Sequence, residues 1–81
     1  MPPRALDHES STPLYAQLAA ELRRRIREDD LRRVPSYRTL QQEYEVSRPV
    51  AERAVHILVD AGEAHIVDGK GTWAGPAPEV P

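Results

Sequence analysis

The sequence predicts a small, mainly α domain of three helices closed by a C-terminal two-stranded β-hairpin. Three observations predict it. Apolar residues recur at helical spacing in three separate segments. Two of those segments begin at a serine placed to cap a helix, Ser36 and Ser47. Near the C-terminus, Asp68-Gly69-Lys70-Gly71 separates two β-prone runs, which is a hairpin signal. Three helices followed by such a hairpin make a winged helix-turn-helix.

The first helix is expected to be capped by Thr12, with Pro13 at its first position. Leu14, Leu18, Leu22 and Ile26 then recur every four residues with Tyr15 and Ala19 beside them, an amphipathic stripe. The opposite face carries Glu21, Arg23, Arg24, Arg25, Arg27 and Glu28. It is expected to be solvated, with Glu21/Arg25 and Arg24/Glu28 as weak ion pairs one turn apart. The helix should fade at Asp29-Asp30, because acids oppose the dipole at a C-terminus. Ser36 caps a second, shorter helix in which Leu40 and Tyr44 face inward while Arg38, Gln41 and Gln42 stay outside. After a tight turn at Glu45-Val46, Ser47 caps the third helix, and Pro49 falls within its first turn, where a missing N–H costs little. Val50, Ala54, Val55 and Leu58 form its apolar face, and Gly62 stands where a left-handed C-terminal residue is needed. Arg48, Glu52 and Arg53 are left for the outer surface. The hairpin runs over 64–67 and 72–74, with Gly69 and Gly71 supplying the positive φ angles of the turn.

Eighty-one residues allow one domain with one modest core and no room for a sensor domain beside it. Residues 1–11 and 75–81 read as disordered tails flanking a folded domain at 12–74. The absence of cysteine excludes disulfides, thiolate metal sites and cysteine nucleophiles, and favours a reducing compartment. No apolar run reaches the length of a signal peptide or membrane span, so a cytoplasmic location and no membrane partner are expected. His56 and His65 lack a third ligand at metal spacing, so neither a metal nor a cofactor is expected. Ser36 and Ser47 have no partner base, so catalysis finds no support. Tyr15, Tyr44 and Trp73 are expected in or at the edge of the core, since no aromatic pair sits in a basic groove of the single-strand-binding kind.

A formal charge of −2 weighs against nucleic-acid binding. Its distribution answers part of the objection, because ten of the eleven Arg/Lys and ten of the thirteen Asp/Glu lie within residues 13–74. The folded part is therefore neutral, and such a domain binds DNA when its charges are segregated by face. Arg48, one residue past the Ser47 cap, projects from a helix N-terminus, where the dipole also favours a phosphate. That position suits the major groove.

Taken in order, Pro13-Leu14-Tyr15, Gln17 and Leu18, Pro35-Ser36 with Arg38 and Leu40, Val46-Ser47-Arg48, Ala54, Leu58, Gly62 and Gly69-Lys70-Gly71-Thr72 resemble the DNA-binding domain of the GntR family of bacterial transcription regulators. The resemblance implies that Arg38 and Arg48 contact DNA, Arg48 at a guanine edge, and that the Gly69-Lys70-Gly71 wing tip reaches the minor groove. Ser36, Ser47, Pro49, Glu52 and Arg53 complete the candidate DNA-facing set. Against Arg38 stands a surface ion pair with Glu43 or Glu45. The Arg23–Arg27 cluster is read as a solvated face rather than a second binding site.

Four departures from the family pattern stand out. Glu52 replaces a common basic residue, and its carboxylate either accepts from cytosine N4 or repels the DNA backbone. Glu63 occupies the place of a buried leucine, Asp68 lies in a usually basic wing, and the loop at Leu31-Arg32-Arg33-Val34 is short. Most members also carry a C-terminal effector-binding or oligomerisation domain, which is not expected here. The expectation is a repressor that occludes a promoter as a homodimer on a palindromic duplex operator. Two alternatives stay open: the N-terminal half of a longer regulator, and a winged-helix module that binds a protein.

Overall fold

The computed structural model describes residues 5–78. Residues 1–4 and 79–81, the outer parts of the two expected tails, lie outside the described residues. The elements run α1 (Leu14–Glu28), β1 (Arg33–Val34), α2 (Tyr37–Tyr44), α3 (Arg48–Asp60), β2 (Ala64–Val67) and β3 (Gly71–Ala74). Three helices and a C-terminal antiparallel hairpin are thus present, as the residue pattern predicts. The pattern does not predict β1. This two-residue strand pairs antiparallel with β3, Arg33 opposite Trp73 and Val34 opposite Thr72, so β3 becomes the middle of a three-stranded sheet ordered β1-β3-β2. Two residues are too few to carry an alternation signal.

The core lies between α1, α3 and the sheet. Leu18 and Leu22 of α1, Leu40 of α2 and Ala51, Ala54, Val55 and Leu58 of α3 are fully buried, with Val34 and Ala64 closing the sheet side. Truncating a buried leucine of this kind to alanine typically costs about 2–5 kcal/mol. Ala51 and Ala54 leave α3 a shallow face that α1 approaches closely, while Val50 lies partly buried at the edge.

Helix ends show which local rules win. Pro13, not Thr12, is the N-cap of α1, and no side chain caps it, because Pro13 has an extended ψ of 144° and the helix starts one residue later than its position predicts. Gln17 ties the preceding chain to the helix without capping it: its Nε2 donates to the carbonyls of Thr12 and Asp7, and its Oε1 accepts from the Asp7 amide. The stretch 5–11, expected as tail, is therefore tied to α1, with Leu6 against the core and His8 Nε2 3.2 Å from the Tyr44 carbonyl. Ser36 and Ser47 cap α2 and α3 as expected, accepting from Thr39 N and Val50 N. Gly62, at φ +74°, ends α3 with paired bonds from its own amide to Val59 and from Glu63 to Leu58, the Schellman arrangement. Between α2 and α3 the left-handed position is filled by Glu45, at φ 55°.

The basic face of α1 is not the solvated surface its charges suggest. Glu21 is only 7% exposed and pairs with Arg24 rather than Arg25, its two oxygens taking the Arg24 Nε at 2.7 Å and Nη2 at 3.0 Å. Arg24 also reaches Glu28, the one expected pair that forms, and Asp29. Arg25 turns to α2, where it meets Glu43 at 3.6 Å and donates to the Tyr44 hydroxyl at 3.1 Å. Burial pushes the Tyr44 phenol above its ordinary pKa, against the pull of that hydrogen bond. Arg23 grips Glu63 through two bonds of 2.6 and 2.9 Å, which explains why a carboxylate is tolerated at a position expected to be apolar.

Two stability outcomes follow from these ends and pairs. A left-handed conformation costs a non-glycine residue about 1–2 kcal/mol, partly offset by the extra unfolded-state freedom of glycine, about 0.5–1 kcal/mol. Glu45→Gly is therefore expected to raise the denaturant midpoint, by about 0.5 kcal/mol; a lower midpoint refutes the strain. The Arg23 hydrogen bond holds the Glu63 carboxyl below its ordinary pKa. Its stabilisation is present above the unfolded carboxylate value of about 4.3 and fades as pH falls through the lower folded value. Unfolding measured from neutral pH down to acid should thus show a pH-dependent loss that Glu63→Gln diminishes.

Candidate nucleic-acid interface

Leu40 and Tyr44 anchor α2, and the left-handed turn at Glu45 followed by buried Val46 sends the chain into α3. The Ser47 cap then starts α3 so that Ala51, Ala54, Val55 and Leu58 face inward. Arg48 and Glu52, one turn apart, consequently share an outer face. The Arg48 side chain is 67% exposed, its Nε donates to Glu52 Oε1 at 2.9 Å, and its Cζ lies 5.8 Å from the Tyr37 ring centroid. Pro49 is exposed beside it in the first turn.

Tyr37 connects this face to the wing. An open groove runs between the start of α2 and the hairpin, lined by Ser36 and Tyr37 on one side and by Ile66, Gly69 and Gly71 on the other. Ile66 is half exposed there. The hairpin turns over Asp68, Gly69 and Lys70, with the Lys70 amide donating to the Val67 carbonyl at 2.9 Å and Gly69 at φ +75°, which leaves the Lys70 side chain exposed at the tip. Gly71 is both left-handed, at φ +97°, and close-packed: a Cβ there would lie 3.2 Å from the Arg33 guanidinium. Arg33 itself lies over Trp73, its Cζ 5.6 Å from the ring centroid.

The predicted residues do not all converge. Ser36, Gly69 and Gly71 line one groove, Tyr37 joins it to Arg48 and through Arg48 to Glu52, and Ser47 and Pro49 flank Arg48. Arg38 lies in the first turn of α2, exposed. The competing pair with Glu43 or Glu45 is not formed, because Arg25 takes Glu43, and Arg38 has no ion pair among the described residues. Arg53 goes elsewhere, stacking on Tyr15 of α1 with its Cζ 3.9 Å from the ring centroid. Tyr37 and Arg33 were not singled out by the residue pattern. Tyr37 stands at i, i+3, i+7 spacing with Leu40 and Tyr44 and is partly buried against the core, so its spacing reads as packing and not as a contact to Arg48, and Arg33 depends on a strand too short to read.

Charge is sorted by this arrangement. Glu21, Glu28, Asp29, Glu43 and Glu63 are bound to Arg23, Arg24 and Arg25 around α1. Arg27, Arg33, Arg38, Arg53 and Lys70 have no carboxylate partner among the described residues. Three of these five cations are on β1, α2 and the wing. Among the described residues no three His, Cys, Asp or Glu gather to hold a metal ion. No helix among them is long and apolar enough to cross a membrane.

Comparison with known proteins agrees with this geometry. The family model described as bacterial regulatory proteins, gntR family, matches residues 14–73. The chain is similar to the DNA-binding domain of AraR in complex with operator ORX1 (TM-score 0.80, 27% identity, 93% of this chain and 99% of that one). It is also similar to the same domain in complex with operator ORE1 (TM-score 0.75, 30% identity, 86% and 89%). A third similar structure is YtrA from Sulfolobus acidocaldarius, a GntR-family transcription factor (TM-score 0.73, 28% identity, 90% and 79%). A search of curated proteins finds no match. With three helices, a hairpin wing and a family match that spans all of them, the chain belongs to the GntR family of bacterial regulatory proteins, and it carries that family's non-enzymatic, sequence-specific DNA-binding domain of transcription regulation.

Proposed function

We propose that this domain acts as a repressor, binding a palindromic duplex operator as a homodimer in the cytoplasm and occluding the promoter beneath it. The observation that carries the reading is Arg48: exposed at the capped start of α3, it keeps both terminal guanidinium nitrogens unpaired among the described residues, the groups that chelate guanine O6 and N7 in the major groove. The capped first turns at Ser36 and Ser47, with Pro49 and Arg38 beside them, suit phosphates through free amides, helix dipoles and an unpaired cation. Lys70 on its glycine-flanked tip suits the minor groove or its phosphates. Arg53, held on Tyr15, suits a flanking phosphate. A single module of this kind buries only about 600–1,000 Å², which favours two copies on one site. The operator complexes of AraR, similar in fold and in sequence, support duplex DNA as the partner.

The division of labour is tested on a site selected from random DNA. Arg48→Ala is expected to lose about 1–3 kcal/mol of discrimination between that site and scrambled DNA while the thermal transition stays in place. Equal losses on both DNAs would reduce Arg48 to a phosphate contact. Lys70→Ala should instead weaken binding to both, and lower the salt slope of log K by ~0.9 for each phosphate no longer neutralised, about twice that for a dimer. An unaltered slope removes the wing tip from the interface. Occlusion is tested by order of addition in transcription with purified polymerase: protein added first should block initiation, and protein added after an open complex should not.

A further inference from the structure

We propose that Glu52 and Tyr37 are positioning residues that brace Arg48 for base reading, so that Glu52 neither reads cytosine nor serves only to repel the backbone. The proposal rests on the reading of Arg48 as the base-contacting residue and goes beyond it. Glu52 engages Arg48 through Nε alone, at 2.9 Å. The guanidinium offers five N–H groups in a rigid plane, and fixing Nε from the side leaves the terminal pair pointing end-on, the geometry that chelates guanine. Tyr37, reaching across from α2, lies 5.8 Å from the same carbon, within the range of a cation–π contact. One partner is on α3 and the other on α2, so the long side chain is held by two elements whose relative position the core sets.

The spacing also explains why this carboxylate is not wasted. Four residues apart on one helix, Arg48 and Glu52 are neighbours whether DNA is present or not. An unbraced arginine must lose its rotamer freedom on binding, whereas a braced one has lost much of it beforehand. The carboxylate repels phosphates on every sequence alike, while the brace helps only where a guanine is presented. The repulsion lowers affinity without changing selectivity, and the brace raises selectivity. An exposed pair of this kind contributes little to folding, so its removal should leave the domain intact.

The test measures affinity for the selected site and for scrambled DNA with Arg48→Ala, Glu52→Ala, Glu52→Gln, Tyr37→Leu, Tyr37→Phe and the Arg48→Ala/Glu52→Ala double variant. Glu52→Ala should weaken the preferred site several-fold while scrambled DNA binds as well or better. Glu52→Gln, which keeps an acceptor oxygen, should recover part of the selectivity. Tyr37→Leu should also lower selectivity, and Tyr37→Phe, which keeps the ring, should preserve it. In the Arg48→Ala background, Glu52→Ala should change selectivity no further. If Glu52→Ala and Glu52→Gln raise affinity for both DNAs equally, repulsion is the whole role and the brace is overturned. A selectivity loss that persists without Arg48 assigns Glu52 to a base and overturns it too. If Arg48→Ala destroys selectivity while Glu52→Ala and Tyr37→Leu spare it, the brace fails alone. Selectivity that survives Arg48→Ala overturns the base-reading role and the brace with it.

Discussion

The seam between α1 and α3 is the constraint on which the outward-facing chemistry depends. Ala51, Ala54, Val55 and Leu58 recur at the spacing of one helical stripe, and all four are fully buried. The two alanines let α1 come close, and Leu18 and Leu22 fill the space that remains. A helix with one face so committed has no freedom in the other. Arg48, Glu52 and His56, four apart, are turned outward because Ala51, Ala54, Val55 and Leu58 are turned inward, and the Ser47 cap fixes where that rotation begins. Strain at Glu45 belongs to the same constraint, since the chain passes from α2 to Ser47 through this left-handed C-cap.

A neutral domain can bind a polyanion only if its acids are kept away from the phosphates, and α1 does that work here. Of its four arginines, which as a bare sequence resemble a basic patch, Arg23, Arg24 and Arg25 are bound by carboxylates from their own helix and its end, from α2 and from the position after Gly62, while Arg27 has no carboxylate partner among the described residues. The pairs therefore act twice. They hold α2 and the hairpin base to α1, and they withdraw five carboxylates from the field around the wing and the starts of α2 and α3. Among the described residues, unpaired cations remain on β1, α2 and the wing tip, at Arg33, Arg38 and Lys70, besides Arg27 of α1 and Arg53 of α3.

Helix caps, helical stripes and hairpin glycines were readable because each rests on residues adjacent in sequence, and Ser36, Ser47, Gly62, Gly69 and Gly71 all take the conformations their types predict. What was not readable depends on partners far along the chain. Arg23 meets Glu63 and Arg25 meets Tyr44, and no local spacing distinguishes those contacts from solvated charges. Where local spacing does apply it still misled, because Glu21 is spaced one turn from both Arg24 and Arg25, and Arg25 is drawn instead to Glu43 and the Tyr44 hydroxyl of α2. Thr12 is not the cap because Pro13 stays extended and the helix begins one residue later. In the candidate interface, Arg48 was legible from its cap, whereas Tyr37 became visible only when α2 and α3 were set side by side.

Acids left near the interface, Glu52 and Asp68 among them, look at first like a defect in a DNA-binding surface. Affinity and selectivity respond to them differently. Phosphate repulsion falls on every duplex equally, so it lowers specific and non-specific binding by the same factor and leaves their ratio unchanged. A base contact acts on the preferred site alone, and in the proposed dimer it acts twice, so that the discrimination of one module is squared. Against a genome of competing sites the ratio sets occupancy, and a weakly binding module loses little by giving up non-specific affinity. A neutral net charge is then compatible with selective binding, provided the few unpaired cations stand where the core-fixed helices direct them.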